Sequence, residues 1–351
     1  MSTNANLHKA KDAKNDEFYT QLTDVSKELM HYKQHFKDKI VLCNCDDPTW
    51  SAFWKYFHLN FSALGLKKLI STHYDKTKPT YKMEYTGGDD NDISAGVITR
   101  LEGNGDFRNQ ECLDLLDASD IVVTNPPFSL FREFVTTLVE HKKDYLIIGN
   151  TNALACMEIF KLFQADAIRT GYTNFNVGMF FRVPDTFEKY TKIENGHKMA
   201  RVSTSCWFTS LPVTKHMEKL ILWKTYSPEE YPTYDNYNAI NVNKYTDIPC
   251  DYDGIMGVPI TFLDKWNPEQ FELLGCTQRG CHDLVPDTKK YDDYKEINHK
   301  TGEPTGSSGS KTNENANLAK NDGKHNYFIN AEGHIVQSTY SRIFIRKKVG
   351  A

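Results

Sequence analysis

"SDIVVTNPPFSLFREF", Ser119 to Phe134, joins a β-branched apolar run to a rigid turn and then to a helical pattern. Ile121 to Thr124 has the composition of a buried strand, and Phe131 to Glu140 carries apolar residues at helical spacing. Between them, Asn125 is followed by two prolines. Each proline fixes its own φ and lacks an N–H, and a residue that precedes a proline is pushed out of the helical region, so Asn125 and Pro126 are both restrained. A strand that feeds a helix through a stiff connection is the unit of a parallel α/β sheet. Ligands of such sheets sit at the carboxyl ends of the strands.

The same alternation extends in both directions. Strands are predicted at Ile40 to Cys43, Leu66 to Ser71, Gly96 to Leu101, Asp120 to Thr124, Tyr145 to Gly149, Val177 to Val183 and Val202 to Thr209, with a helix over Ser51 to Leu64. Val25, Leu29, Tyr32 and Phe36 predict an earlier helix with Asp24 as its N-cap. This rhythm argues for an α/β fold with a mostly parallel central sheet. It stops near Leu211 and Pro212, after which Tyr, Asn, Asp and Pro are enriched. Two domains are therefore expected, 1–211 and 212–351, a number that suits 351 residues at about 150 per domain. Within the second, the polar segment 299–326 reads as a mobile loop, and "TYSRIFIRKK" at the end reads as a strand with Ile343 and Ile345 alternating against Arg342, Phe344 and Arg346.

With 39% hydrophobic and 13% aromatic residues the chain can build a sizeable core. It holds no apolar stretch of membrane-spanning length and opens on no signal-like run, so a soluble, cytoplasmic protein is expected. The eight scattered cysteines predict reduced thiols. Cys276, Cys281 and His282 lack a second half of a zinc site, and no metal is predicted. A formal net charge of −4 argues against a protein that simply coats nucleic acid, while leaving room for a local basic face.

The stiff turn suggests a chemistry. The carboxamide oxygen of Asn125 and the carbonyl of Pro126 can face one point as two fixed acceptors, which suits a planar –NH2 group. The N6 amino group of adenine is one. Accepting both of its hydrogens in a tetrahedral geometry frees its lone pair to attack an electrophile. Phe128 can stack on the ring, a contact worth about 1–3 kcal/mol. An adenine paired inside a duplex hides this edge, so the reading implies base flipping. The plainer alternative is an Asn-Pro-Pro turn that merely closes a strand; the strand before and the helix after favour the chemical one.

Longer stretches carry a resemblance: "NDEFYTQ" at Asn15, "CNCDDP" at Cys43, "LGLKKLI" at Leu64, "GDFR" at Gly105, "LIIGN" at Leu146, "YDNYNAINVNK" at Tyr234, "GVPITFL" at Gly257 and "NPEQFEL" at Asn267, besides the opening motif. On these the chain resembles the EcoRI-type N6-adenine DNA methyltransferases, with only Gln278 to Asn326 foreign to the pattern. The resemblance implies a Rossmann-like methyltransferase fold with a C-terminal target-recognition region, and S-adenosylmethionine as methyl donor. It implies Asn125, Pro126, Pro127 and Phe128 as the catalytic motif, with Phe18, Tyr19, Thr20, Asp106 and Phe107 at the cofactor. Asp46, Asp47 and Pro48 stand where a Gly-rich loop normally follows the first strand, but Ser51 and Phe53 occupy positions where glycines are expected. Asp46 and Asp47 either bind the cofactor or cap a helix that starts near Thr49. Asp75 reads as a solvated loop residue and Asp120 as structural.

The implied partners are double-stranded DNA, with GAATTC as a first target to test, and a restriction endonuclease acting on the same site without direct contact. Candidate phosphate contacts are Lys215, His216, Lys219, Lys244, Arg279, Arg342, Arg346, Lys347 and Lys348. The alternatives are a methyltransferase acting on RNA adenine or a protein glutamine, and a DNA-binding protein that has lost its cofactor.

Overall fold

The structure, a computed structural model, describes residues 19–77, 79–277, 285, 288–348 and 350. The chain divides into two compact units, Met1–Ala153 with Ile168–Pro212, and Leu154–Ala167 with Val213–Ala351. The change at Pro212 falls beside the expected boundary, but residues 154–167 group with the C-terminal unit.

The first unit contains strands β1 (Ile40–Cys43), β2 (Lys68–Thr72), β3 (Tyr81–Tyr85), β4 (Val97–Arg100), β5 (Ile121–Thr124), β6 (Asp144–Asn150), β7 (Arg169–Thr170), β8 (Met179–Arg182), β9 (Lys192–Glu194), β10 (His197–Val202) and β11 (Ser205–Thr209). Its helices are α1 (Leu22–Leu29), α2 (Ala52–Leu59), α3 (Phe61–Leu64), α4 (Gln110–Ala118) and α5 (Phe131–Glu140). The main sheet runs β4-β3-β2-β1-β5-β6-β11-β7. Its centre, β2-β1-β5-β6, is parallel, while both flanks are antiparallel. This is a Rossmann-like α/β sheet. Because β1 lies between β2 and β5, the chain leaves it toward one side and returns on the other, which opens a crevice at the carboxyl ends of β1 and β5.

Side-chain pattern explains these elements. All four residues of β5 are buried, as a central parallel strand covered on both faces requires. On α5, Phe131, Phe134, Val135 and Leu138 form the buried stripe. Gly149 in β6 lets α5 approach: a Cβ there would lie 2.3 Å from the Phe131 ring. The expected helix Ser51 to Leu64 is two helices, interrupted at Asn60 (φ −116°, ψ 15°). Gln21, not Asp24, occupies the N-cap of α1, and Asp24 lies inside the first turn. Further along α1, the buried Glu28 carboxylate accepts hydrogen bonds from Tyr32 Oη (2.9 Å), the N–H groups of Tyr172 (2.7 Å) and Thr173 (2.8 Å), and Thr173 Oγ1 (2.6 Å). Strand β8, expected in the main rhythm, instead belongs to a small antiparallel sheet, β8-β10-β9.

The second unit begins with helix α6 (Met157–Gln164) and continues through β12 (Ile240–Asn241), β13 (Met256–Pro259), β14 (Phe271–Cys276), β15 (Lys295–Ile297), β16 (Pro304–Ser308), β17 (Asn317–Leu318), β18 (Tyr327–Ile329), β19 (Ile335–Ser338) and β20 (Arg342–Lys347). Its described strands form two sheets, β12-β13-β20-β14 and β16-β15-β18-β19-β17. The expected alternation in the last strand is absent: Arg342, Ile343, Phe344 and Ile345 are all buried because β20 pairs on both sides.

The polar segment 299–326 is not simply a loop. It contains β16, a 3-10 turn at Gly309–Glu314 and β17, and its Thr312, Ala316, Asn317 and Leu318 are buried. Composition misled because amide side chains do the work of apolar ones. Asn317 Nδ2 donates to the carbonyls of Thr312 (2.7 Å) and Asn315 (3.1 Å), and Asn236 Nδ2 donates to that of Asn315 (2.8 Å). No described helix is long and apolar enough to cross a membrane.

Candidate active site

A cavity of about 460 Å³ opens at the carboxyl ends of β1, β2 and β5. Four connections wall it: Asn44 to Asp47 after β1, His73 to Thr77 after β2, Gly105 to Arg108 before α4, and Asn125 to Leu130 after β5. Its size and its mixture of aromatic and polar walls are those of a small-molecule site. One wall position requires glycine. Gly105 has φ +75°, and a Cβ there would sit 2.1 Å from the carbonyl oxygen of His73.

The loop after β1 holds its shape through two carboxylates. Asp46 is buried, and its Oδ1 accepts from Ser51 Oγ (3.1 Å). Its Oδ2 accepts from Thr124 Oγ1 and, at 3.4 Å, from the N–H of Asn125. Thr124 Oγ1 in turn accepts from the N–H of Cys45 (3.2 Å), and Ser71 Oγ donates to the Asp46 carbonyl. Burial pushes the Asp46 carboxyl up to about 6 despite these hydrogen bonds. Asp47 closes the turn instead: its Oδ1 accepts from the Thr49 N–H (2.9 Å), Thr49 Oγ1 (2.7 Å) and Tyr81 Oη (2.8 Å), and its Oδ2 lies 3.6 Å from His73 Nε2.

Neither aspartate caps the following helix. Ser51 does, its Oγ accepting from the N–H groups of Phe53 (3.1 Å) and Trp54 (3.2 Å). The serine that replaced an expected glycine therefore has a definite task, linking the α2 N-terminus to Asp46.

The loop after β5 is extended, with Pro127 at φ −55° and ψ 124° before a 3-10 turn, Phe128–Leu130. The Pro127 carbonyl accepts from the Leu130 N–H at 2.9 Å. Phe128 meets Phe181 edge-on, with ring centroids 6.1 Å apart. Asn125, Pro126, Pro127 and Phe128 all line the cavity, as do Asp46, Asp47, Asp106, Phe107 and Tyr19. Phe107 is buried edge-on against Phe134 at 5.0 Å. Arg108 grips Asp106 through Nε (2.8 Å) and Nη2 (2.6 Å), and this guanidinium holds the Asp106 carboxyl below the usual carboxylate range. Tyr19 packs edge-on against Trp50, centroids 4.2 Å apart, and pairs its backbone with Arg182 of β8. Thr20 and Pro48 lie outside the cavity lining, and Phe18 lies outside the described residues.

Sequence reasoning missed Trp50, His73 and Arg108 on the cavity wall. Position alone could have pointed to His73, the first residue after β2. Asp75, read as solvated, also lines the wall, and its Oδ1 closes a turn with the Thr77 N–H (3.0 Å) and Oγ1 (3.0 Å). Asp120 is structural, accepting from the Ile40 N–H at 2.7 Å.

The candidate phosphate contacts divide. Arg342 is buried, its Nε 3.3 Å from both Tyr234 Oη and Asn241 Oδ1, and His216 is buried with Nδ1 2.9 Å from the Trp266 carbonyl; both belong to the core of their unit. Lys215 pairs with Asp264 at 2.5 Å, Arg346 with Glu272 at 2.7 Å and Lys347 with Asp253 at 3.3 Å. Lys219, Lys244 and Lys348 are exposed. Arg279, Cys281 and His282 lie outside the described residues.

The family model described as "Adenine-specific methyltransferase EcoRI" matches residues 6–348. The chain is 46% identical over 294 residues to the type II methyltransferase M.EcoRI of Escherichia coli, covering 78% of this chain and 89% of that protein. It is 40% identical over 301 residues to the type II methyltransferase M.MpnI of Mycoplasma pneumoniae, covering 84% and 92% respectively. No solved structure matched.

Proposed function

The chain belongs to the EcoRI family of adenine-specific methyltransferases, and from that premise we propose that its cavity receives S-adenosylmethionine beside an adenine turned out of double-stranded DNA. One observation carries this reading: the Asn125–Phe128 loop forms a wall of the same cavity as Tyr19, Asp106 and Phe107. A cavity of about 460 Å³ at the sheet's switch point fits a nucleoside-sized group, and Gly105 keeps one wall clear. Tyr19, Asp47, Asp106 and Phe107 are the residues that would hold the cofactor.

When bound, S-adenosylmethionine supplies a methyl group activated by its sulfonium. The chain supplies orientation. Asn125 and the Pro126 carbonyl accept the two hydrogens of the adenine amino group, which turns its lone pair toward the methyl donor, and Phe128 holds the ring. Extruding the base costs a few kcal/mol, which stacking and these two acceptors offset. The second unit, built mainly from Val213–Ala351, would recognise the target, with Lys219, Lys244 and Lys348 as exposed cations for phosphate. Kinship to type II enzymes supports a role as the modification partner of a restriction endonuclease that cuts the same site.

The test is Asn125→Ala. Methyl transfer from labelled S-adenosylmethionine to unmodified duplex DNA should fall by on the order of 10²–10³-fold while the melting temperature is retained. Near-normal transfer by this variant would overturn the role given to Asn125. RNA and protein acceptors assayed in parallel identify the substrate class, and mapping N6-methyladenine in a host lacking adenine methylation identifies the target.

A further inference from the structure

We propose that Asp46 is a positioning residue, whose carboxylate clamps the loop after β1 to Thr124 and Asn125 and so holds the Asn125 amide in its acceptor pose. The inference rests on the role given to Asn125 above, and it assigns Asp46 to the acceptor side of the cavity, not to the cofactor.

The geometry points this way because both carboxylate oxygens are engaged inside the protein. Oδ1 takes the Ser51 hydroxyl at 3.1 Å, and Oδ2 faces Thr124 Oγ1 and the Asn125 N–H. Ser51 Oγ already accepts two N–H groups from α2, so its own proton has Asp46 as its acceptor. Thr124 is the last residue of β5, and Asn125 is the next. The chain Ser51, Asp46, Thr124 therefore fixes the residue immediately preceding the catalytic asparagine, and the Asn125 backbone itself, by contacts 78 and 79 positions apart in sequence.

A buried carboxylate is an expensive way to hold a loop. Its advantage over a carboxamide is that both ends accept. An asparagine at this position has one acceptor oxygen and one –NH2, so either Ser51 or the Thr124 side loses its acceptor without any change in volume.

The experiment compares Asp46→Asn, Thr124→Val and Thr124→Ser with the unmodified enzyme, using duplex DNA free of adenine methylation and labelled S-adenosylmethionine. Equilibrium dialysis gives the cofactor Kd, and steady-state methyl transfer gives kcat. We expect kcat to fall by about ten- to hundredfold in Asp46→Asn and Thr124→Val, with cofactor Kd little changed, and Thr124→Ser to recover most of kcat because it keeps the hydroxyl. If Asp46→Asn does not fold, the two Thr124 variants carry the same test. Unchanged kcat in the disrupted variants overturns the inference, as does a cofactor Kd that rises in step with the loss, since Asp46 would then serve the cofactor. Asn125→Ala is assayed alongside. Activity in that variant defeats the reading of Asn125 itself, whereas its inactivity beside fully active Asp46→Asn and Thr124→Val defeats only the role of Asp46.

Discussion

The loop after β1 and the loop after β5 border one cavity, yet they are stiffened by opposite means. The second is stiff by covalent geometry, because two consecutive prolines fix their own φ and restrain the residues before them. The first has a single proline, Pro48, and relies on two aspartates with hydroxyl partners on β5, at the N-cap of α2 and on β3. Rigidity that comes from a ring is insensitive to pH. Rigidity that comes from a desolvated carboxylate is not.

That contrast can be broken most forcefully at Asp46. Asp46→Ala strands the Ser51 and Thr124 hydroxyls in a buried site, and it should cost about 2–4 kcal/mol in chemical denaturation, the desolvated charge removed offsetting part of the loss. A variant as stable as the parent would show that the loop needs no carboxylate. A smaller effect is expected from Pro126→Ala combined with Pro127→Ala, about 1–2 kcal/mol, because the loss is mainly the freedom regained by the unfolded chain. In that double variant kcat should drop while its pH profile keeps the parent's shape; an altered profile would mean that the prolines also control Asp46.

The smallest effect on turnover separates the loops most sharply. Burial raises Asp46 from 3.8 to about 6 in the folded protein, so the stability linked to its protonation is fully present below pH 3.8 and is lost as pH rises through about 6. Activity should move the other way, since only the ionised form accepts from Ser51, Thr124 and Asn125 together. At pH 6 this gives about a twofold reduction in kcat relative to the plateau. The titratable neighbours of Asp46 are Cys43 and Cys45, held protonated by burial, and Asp47. Asp46→Asn should flatten both trends, and an unaltered acid limb in that variant would assign it to another group.

The same contrast explains what could be read in the sequence. Strand β1 and helix α5 coincide with their expected bounds, and the Asn125–Phe128 turn was recognisable because proline acts on its immediate neighbours. The task of Asp46 was hidden, since its partner Thr124 stands 78 positions away and no local pattern marks the pair. Ser51 looked like a damaged glycine motif for the same reason. In the second unit, local polarity suggested a loop at 299–326 where long-range amide hydrogen bonds form structure, and local charge suggested a phosphate contact at Arg342, which is buried against Tyr234 and Asn241.

Residues 154–167 have a consequence for inheritance. The chain passes between its two units at 153, 167 and 212, and α6, whose Gln164 donates to the Leu273 carbonyl of β14 at 2.8 Å, belongs with the second although its codons interrupt the first. A single recombination event at Pro212 would join a new C-terminal half to the old parent's α6 and leave β14 against an unfamiliar helix. Exchange of the second unit between relatives therefore requires two segments of gene, those encoding residues 154–167 and 213–351, to travel together.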